Sequence, residues 1–189
     1  MDLSKRREAL REHNFKRFYL AGGDPFLGRR EGDFPSASDM NLLYYDCDME
    51  YWAYDIAQGC HRGFPNFDYV GSNNATFDSR YFDYNYIKDA VESWWRTGLN
   101  YGPPVELAPS QENKPSIPFL QMANGGTNKL GCAFNICGDK DDPNSLAYVL
   151  FVCKYGEEQI QVGTPIYTDG PPCGSCEDRC YQTRLCKTQ

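Results

Sequence analysis

Nine cysteines, an odd number, stand in a chain of 189 residues, and their placement constrains this protein more than any other feature. Dense cysteines mean metal or redox sites in a reducing compartment and disulfides in an oxidising one. A zinc ribbon needs paired CxxC-like motifs or a CxxC with two histidines. This chain has one CxxC, Cys173-Gly174-Ser175-Cys176, and its histidines are His13 and His61. Zinc could be assembled only from the terminal group Cys173, Cys176, Cys180 and Cys186. The CxxC lies in a Gly/Pro-rich tail rather than at a helix start after an early strand, which argues against thiol–disulfide catalysis. The cysteines therefore read as a disulfide framework, and the compartment as extracellular. An Asn74-Ala75-Thr76 sequon agrees with export and makes Asn74 a candidate glycosylation site.

Charge and hydropathy narrow the function classes. Nineteen Lys and Arg against 26 Asp and Glu give a net charge of −7, which opposes binding to nucleic acid or an anionic membrane surface. No apolar run approaches the roughly 18 residues of a membrane span, so no membrane insertion is expected. The first residues lack the apolar stretch of a signal peptide, and the chain reads as a mature form.

Periodicity divides the chain into early helices and late strands. Residues 3–20 read as a helix with Leu3, Arg7, Leu10, Asn14 and Phe18 along one face, stopped by Gly22-Gly23 and Pro25. Residues 22–38 read as an exposed loop. Met49, Trp52, Ala53, Ile56, Ala57 and Cys60 recur at three- and four-residue steps, predicting a second helix with Trp52 in the core. Residues 61–82 read as a loop. Asp83 is the expected N-cap of a third helix that buries Ile87, Ala90, Val91 and Trp94 and ends near Gly98. Four prolines between 100 and 116 exclude a regular helix or a central strand there. Alternation at Leu130, Cys132, Phe134 and Ile136 predicts a strand, the apolar run 147–155 a buried central strand, and Ile160 with Val162 a short third one. The order predicts an α+β domain with helices covering a small, mainly antiparallel sheet.

These segments resemble the CAP superfamily of cysteine-rich secretory, antigen 5 and plant pathogenesis-related 1 proteins, and within it the activation-associated secreted proteins of nematodes. The resemblance is carried by Leu10-Arg11-Glu12-His13-Asn14, Met40 to Asp46, Ala90 to Trp95, and Phe119-Leu120-Gln121-Met122-Ala123. It continues in Thr127 to Ala133, Val152 to Gly156, Gly163 to Tyr167, and the cysteine tail. It implies a three-layer α-β-α sandwich over residues 1–170 and a short, disulfide-rich, hinge-like tail over 171–189. Many members hold two histidines and two glutamates in a central groove, a set suited to zinc. Here the matching positions are Ser72 and Thr97 for the glutamates and Pro118 for one histidine; His61 is only a displaced candidate for the other. His13 reads as a hydrogen-bonding structural residue. The resemblance thus implies no groove metal, no cofactor and no catalytic residues.

Family likeness also implies disulfides Cys137–Cys153, Cys173–Cys180 and Cys176–Cys186, with Cys132 joined to Cys47 or Cys60 and the other left free. For function it implies a secreted, non-enzymatic antagonist of a host cell-surface receptor. Integrins are the first choice, because hookworm members inhibit platelet aggregation and leukocyte adhesion. An integrin metal accepts a loop carboxylate, so Gly32-Asp33 and Gly138-Asp139 are the candidate receptor-binding loops. The alternative is a lipid- or sterol-binding protein without receptor antagonism. No Gly-x-Ser-x-Gly elbow, phosphate loop or EF-hand spacing offers a competing chemistry.

Overall fold

A computed structural model of the chain describes residues 1–26, 34–61, 71–78, 86–138, 147–156 and 159–188. In chain order the elements are α1 (Leu3–Ala21), β1 (Tyr44–Tyr45), α2 (Cys47–Gln58), β2 (Ser72–Asp78), α3 (Tyr86–Tyr101), α4 (Ile117–Ala123), β3 (Lys129–Cys137) and β4 (Tyr148–Tyr155). A tail hairpin, β5 (Cys180–Tyr181) with β6 (Leu185–Cys186), follows. The main sheet runs β1-β3-β4-β2, with β1 parallel to β3 and the other pairs antiparallel.

Side chains of successive strand residues point to opposite faces, and this alternation creates the layers. Ala133, Cys137, Leu150 and Val152 pack with Ala53 and Ala57 of α2. Leu130, Cys132, Phe151, Cys153 and Tyr155 face the opposite way, into a core shared with α1, α3 and α4. The α+β expectation and the three-layer sandwich hold. Single glycines allow the closest approaches between elements. A Cβ on Gly131 would lie 2.0 Å from the Glu50 amide nitrogen of α2, and one on Gly98 would lie 2.4 Å from the Phe119 ring.

The same alternation corrects the expected disulfides. Cys132 stands directly opposite Cys153 in the β3–β4 register, with Cα atoms 4.0 Å apart, and the two are bridged. Cys137 instead faces α2 and is bridged to Cys60 at that helix's end, Cα–Cα 5.8 Å. The expected Cys137–Cys153 bond would join opposite faces of the sheet, and Cys132 points away from Cys47 and Cys60 alike. Cys47 is the free, exposed thiol. In the tail, Cys173 is joined to Cys180 and Cys176 to Cys186. That tail is knitted to the body: the Cys186 amide donates to Met40 O, its carbonyl accepts from Leu42 N, both at 2.8 Å, and Leu185 enters the main core.

Other departures have local causes. The third long strand is β2, inside the segment read as a loop. It is an edge strand paired only with β4, so its Ser-Asn-Asn-Ala-Thr-Phe-Asp sequence shows no apolar alternation. Ile160 is buried without strand pairing and Val162 is exposed. The buried stripe of α1 is Ala9, His13, Arg17 and Leu20 rather than the Leu3–Phe18 face; Leu3 is exposed. Trp52 is 53% exposed and Ile56 is exposed too, because α2 sits too close to the sheet for anything larger than Ala53 and Ala57 beneath it. The loop read at 22–38 buries Phe26, Phe34 and Ala37 at its described ends. The proline segment contains two 3-10 turns, Val105–Leu107 and Gln111–Ser116. Asp83 lies outside the described residues.

Candidate functional site

Two of the positions that the resemblance matches to the family groove, Thr97 and Pro118, meet where β2 approaches α3 and α4. A cleft of about 930 Å³ opens there, walled by Asn74 to Phe77 of β2, by Asp89, Ser93, Trp94 and Thr97 of α3, and by Lys114, Pro115 and Pro118. Trp94 forms its floor. Its ring stacks on Phe151 with centroids 5.8 Å apart, and its Nε1 donates to Asn74 O at 2.9 Å. β2 is the edge strand of the sheet on this side, paired only with β4.

Thr97 and Pro118 come together in this cleft. The Thr97 hydroxyl donates to Trp94 O (2.7 Å) and accepts from Phe119 N (3.2 Å), so it is spent on joining α3 to α4. Ser72 stands at the start of β2, outside the lining. His61 is exposed just beyond α2, following the cysteine that is tied to the other face of the sheet. A hydroxyl and a proline ring are not zinc ligands at these positions, and no group of three or more His, Cys, Asp or Glu converges among the described residues. The residues present do not fit a zinc ion. Calorimetric titration of zinc into the chelator-treated protein is expected to give only heats of dilution; a tight single site would contradict that.

Behind the cleft lies a buried polar relay whose roles follow from donor inventory. Ala9 O can only accept, so His13 Nδ1 donates to it at 2.7 Å. His13 Nε2 then accepts from the Tyr155 hydroxyl at 2.9 Å. Asn73 Nδ2 donates to Tyr155 Oη at 3.2 Å and to Pro118 O at 2.8 Å, which positions the cleft's rim. His13 and Asn73 are fully buried. Burial holds the imidazole neutral and lowers its pKa to about 4, and burial raises that of the Tyr155 phenol. Sequence reasoning placed His13 as structural but missed Asn73 and Tyr155; the four-residue steps Ala9, His13, Arg17 carried part of the signal.

The relay makes a pH prediction. The unfolded imidazole titrates near 6.5 and the folded one near 4, so the unfolded chain binds a proton first. Stability is present above pH 6.5 and is lost as the pH falls toward 4. The loss amounts to about 3 kcal/mol at about 1.4 kcal/mol per unit. Urea melts at pH 7 and pH 4 check it. A His13→Gln variant should lose the part of the slope above pH 4.5, where carboxylates contribute least.

Ser93 Oγ donates to Ala90 O at 2.7 Å, Thr97 is engaged as above, and both His13 nitrogens are occupied, so none of these three side chains forms a nucleophile–base pair at the cleft. Asn74 lies half-buried at the cleft wall, in register with Val152. Gly138 is exposed with φ +82° immediately after β3, while Gly32, Asp33 and Asp139 lie outside the described residues.

Comparison with known proteins agrees with the fold. The family model described as the cysteine-rich secretory protein family, CAP, matches residues 10–155. Ancylostoma secreted protein of Ancylostoma caninum is 31% identical over 154 residues, covering 77% of this chain and 34% of its own length. Hookworm platelet inhibitor 1 of the same organism is 29% identical over 141 residues, covering 75% of this chain and 63% of its own length. The chain therefore spans about a third of the first relative and under two thirds of the second. Among solved structures, NaASP2 with Zn2+ superposes with a TM-score of 0.79 at 25% identity, covering 98% of this chain and 96% of that one. Na-ASP-1 reaches 0.82 at 29% identity, with 98% of this chain and 47% of that one covered.

Proposed function

Because the chain belongs to the CAP family of cysteine-rich secretory proteins, we propose that it is a secreted, non-enzymatic effector that binds a cell-surface receptor, with integrins of platelets or leukocytes as the first candidates. One observation supports this reading: the cleft between β2, α3 and α4, to which the family resemblance assigns the groove, is lined by Thr97 and Pro118, neither of them a metal ligand, which favours recognition over metal chemistry. Four internal disulfides agree with an oxidising compartment. Similarity to Hookworm platelet inhibitor 1 supports platelets as a target cell.

The test is inhibition of platelet aggregation and of leukocyte adhesion, followed by adhesion assays on a panel of purified integrins. Inhibition at micromolar protein is expected; inactivity across the panel overturns the integrin assignment. A second reading, binding of a sterol or fatty acid, is favoured by the apolar wall of Phe77, Trp94, Pro115 and Pro118. Stoichiometric sterol binding by a chain without effect on cells would select it.

A further inference from the structure

We propose that the outer face of α2 is a docking surface for a cationic segment of a partner protein, read by Tyr51 and Trp52 between the carboxylates of Asp48 and Asp55. This deepens the receptor-binding reading above and rests on it for the partner's location on a cell surface. The four residues follow three- and four-residue steps and so share one face of the helix. Tyr51 is 65% exposed, Trp52 is 53% exposed, and their rings meet edge to face at 6.0 Å. Both carboxylates are exposed, and neither has an ion-pair partner among the described residues. Lys and Arg are absent from the helix sequence.

This exposure is built into the fold. The helix rests on the sheet through Ala53 and Ala57, and the close approach at Gly131 leaves no room to rotate a large side chain inward. Trp and Tyr dominate the energetics of protein interfaces when they become buried there, and exposed clusters of them mark contact sites. Charge selects the occupant. A second copy meeting this face symmetrically would set Asp48 and Asp55 against their own copies, on a chain of net charge −7. An anionic bilayer is repelled for the same reason, and an uncharged apolar peptide would bury the carboxylates unpaired. A guanidinium fits both demands: it stacks on the indole face and hydrogen-bonds the flanking carboxylates.

The test is calorimetric titration of the full chain with the peptide acetyl-Leu-Arg-Leu-Arg-Leu-amide and with its Glu counterpart. Saturable binding of the Arg peptide alone is expected, weakening as salt rises. It should weaken at least about tenfold in Trp52→Ser and in the Asp48→Asn/Asp55→Asn double variant. Both alter exposed side chains, so unchanged thermal melts show that the fold is intact. Equal affinity for the two peptides, or unchanged affinity in both variants, overturns the proposal. So does a dimer, seen by light scattering, that Trp52→Ser dissociates. Failure of the receptor reading looks different: the Arg peptide would still bind a chain that is inactive on platelets and leukocytes. Inhibition of those cells that survives both sets of substitutions would instead keep the receptor reading and discard this face.

Discussion

Replacing Arg17 with methionine is expected to cost about 4 kcal/mol of stability or more, a large share of the roughly 5–15 kcal/mol that holds a domain together. Arg17 has no exposed surface. Its Nε and one terminal nitrogen donate to Asn41 O at 3.0 and 2.7 Å. The remaining bonds reach Met122 O (2.9 Å), Asn124 O (2.7 Å), Gly125 O (3.1 Å) and Thr127 O (3.0 Å). One guanidinium therefore fixes the turn between α4 and β3 to the segment that leads into β1. Burial lowers its pKa to about 9, still above neutral pH, so the cation persists. Methionine preserves the stem and takes the guanidinium donors from five carbonyls, of which Gly125 O keeps the Asn41 amide at 3.0 Å; each carbonyl left unsatisfied costs about 1–3 kcal/mol before relaxation. The melting temperature should fall by about 10 °C. Lysine should recover little, because its compact ammonium cannot span a fork of five acceptors. A methionine variant that melts within 2 °C of the parent would show that these carbonyls find other partners.

The second large effect is expected at Gly131. Alanine there puts a methyl group 2.0 Å from Glu50 N and 2.4 Å from the Met49 carbonyl carbon, both backbone atoms that no rotamer change can move. The helix must lift off the sheet, loosening Ala53 and Ala57 from Leu150 and Val152. A loss of about 3 kcal/mol follows from overpacking of this kind. Gly163→Ala is the contrasting substitution. That residue has φ +80° and nothing within 4 Å, so only backbone strain of about 1 kcal/mol is expected. Chemical denaturation of the two variants separates the mechanisms; equal losses would contradict the close-approach account.

These two residues also show what could be read in the sequence. Strand β4 was legible because the run 147–155, apolar but for Lys154, has few alternatives, and α3 because Ile87, Ala90, Val91 and Trp94 hold helical spacing on a truly buried face. The buried face of α1 was hidden because its largest members are His13 and Arg17, polar residues whose burial depends on partners more than 80 residues away. In α2 the periodicity was real but the depth was not in the helix itself: Gly131, on another element, decides that Trp52 and Ile56 stay outside. Edge strand β2 carries no apolar alternation, so the wall of the cleft read as loop. Thr97 and Pro118 could be matched to the groove from their neighbours in sequence, whereas Asn73 and Tyr155 emerge only when β2 and β4 pair. The two tail bridges are as expected, whereas the two sheet bridges failed on parity: Cys132 and Cys137 are five residues apart on one strand and face opposite layers.

The most direct measurement is equilibrium binding of the labelled, chelator-treated chain to intact platelets and leukocytes, competed by unlabelled chain. Saturable, competable binding at micromolar concentration or below is expected, undiminished by the loss of any bound metal from the chain. Absence of saturable binding to either cell type, or binding restored only when zinc is added back, would contradict it.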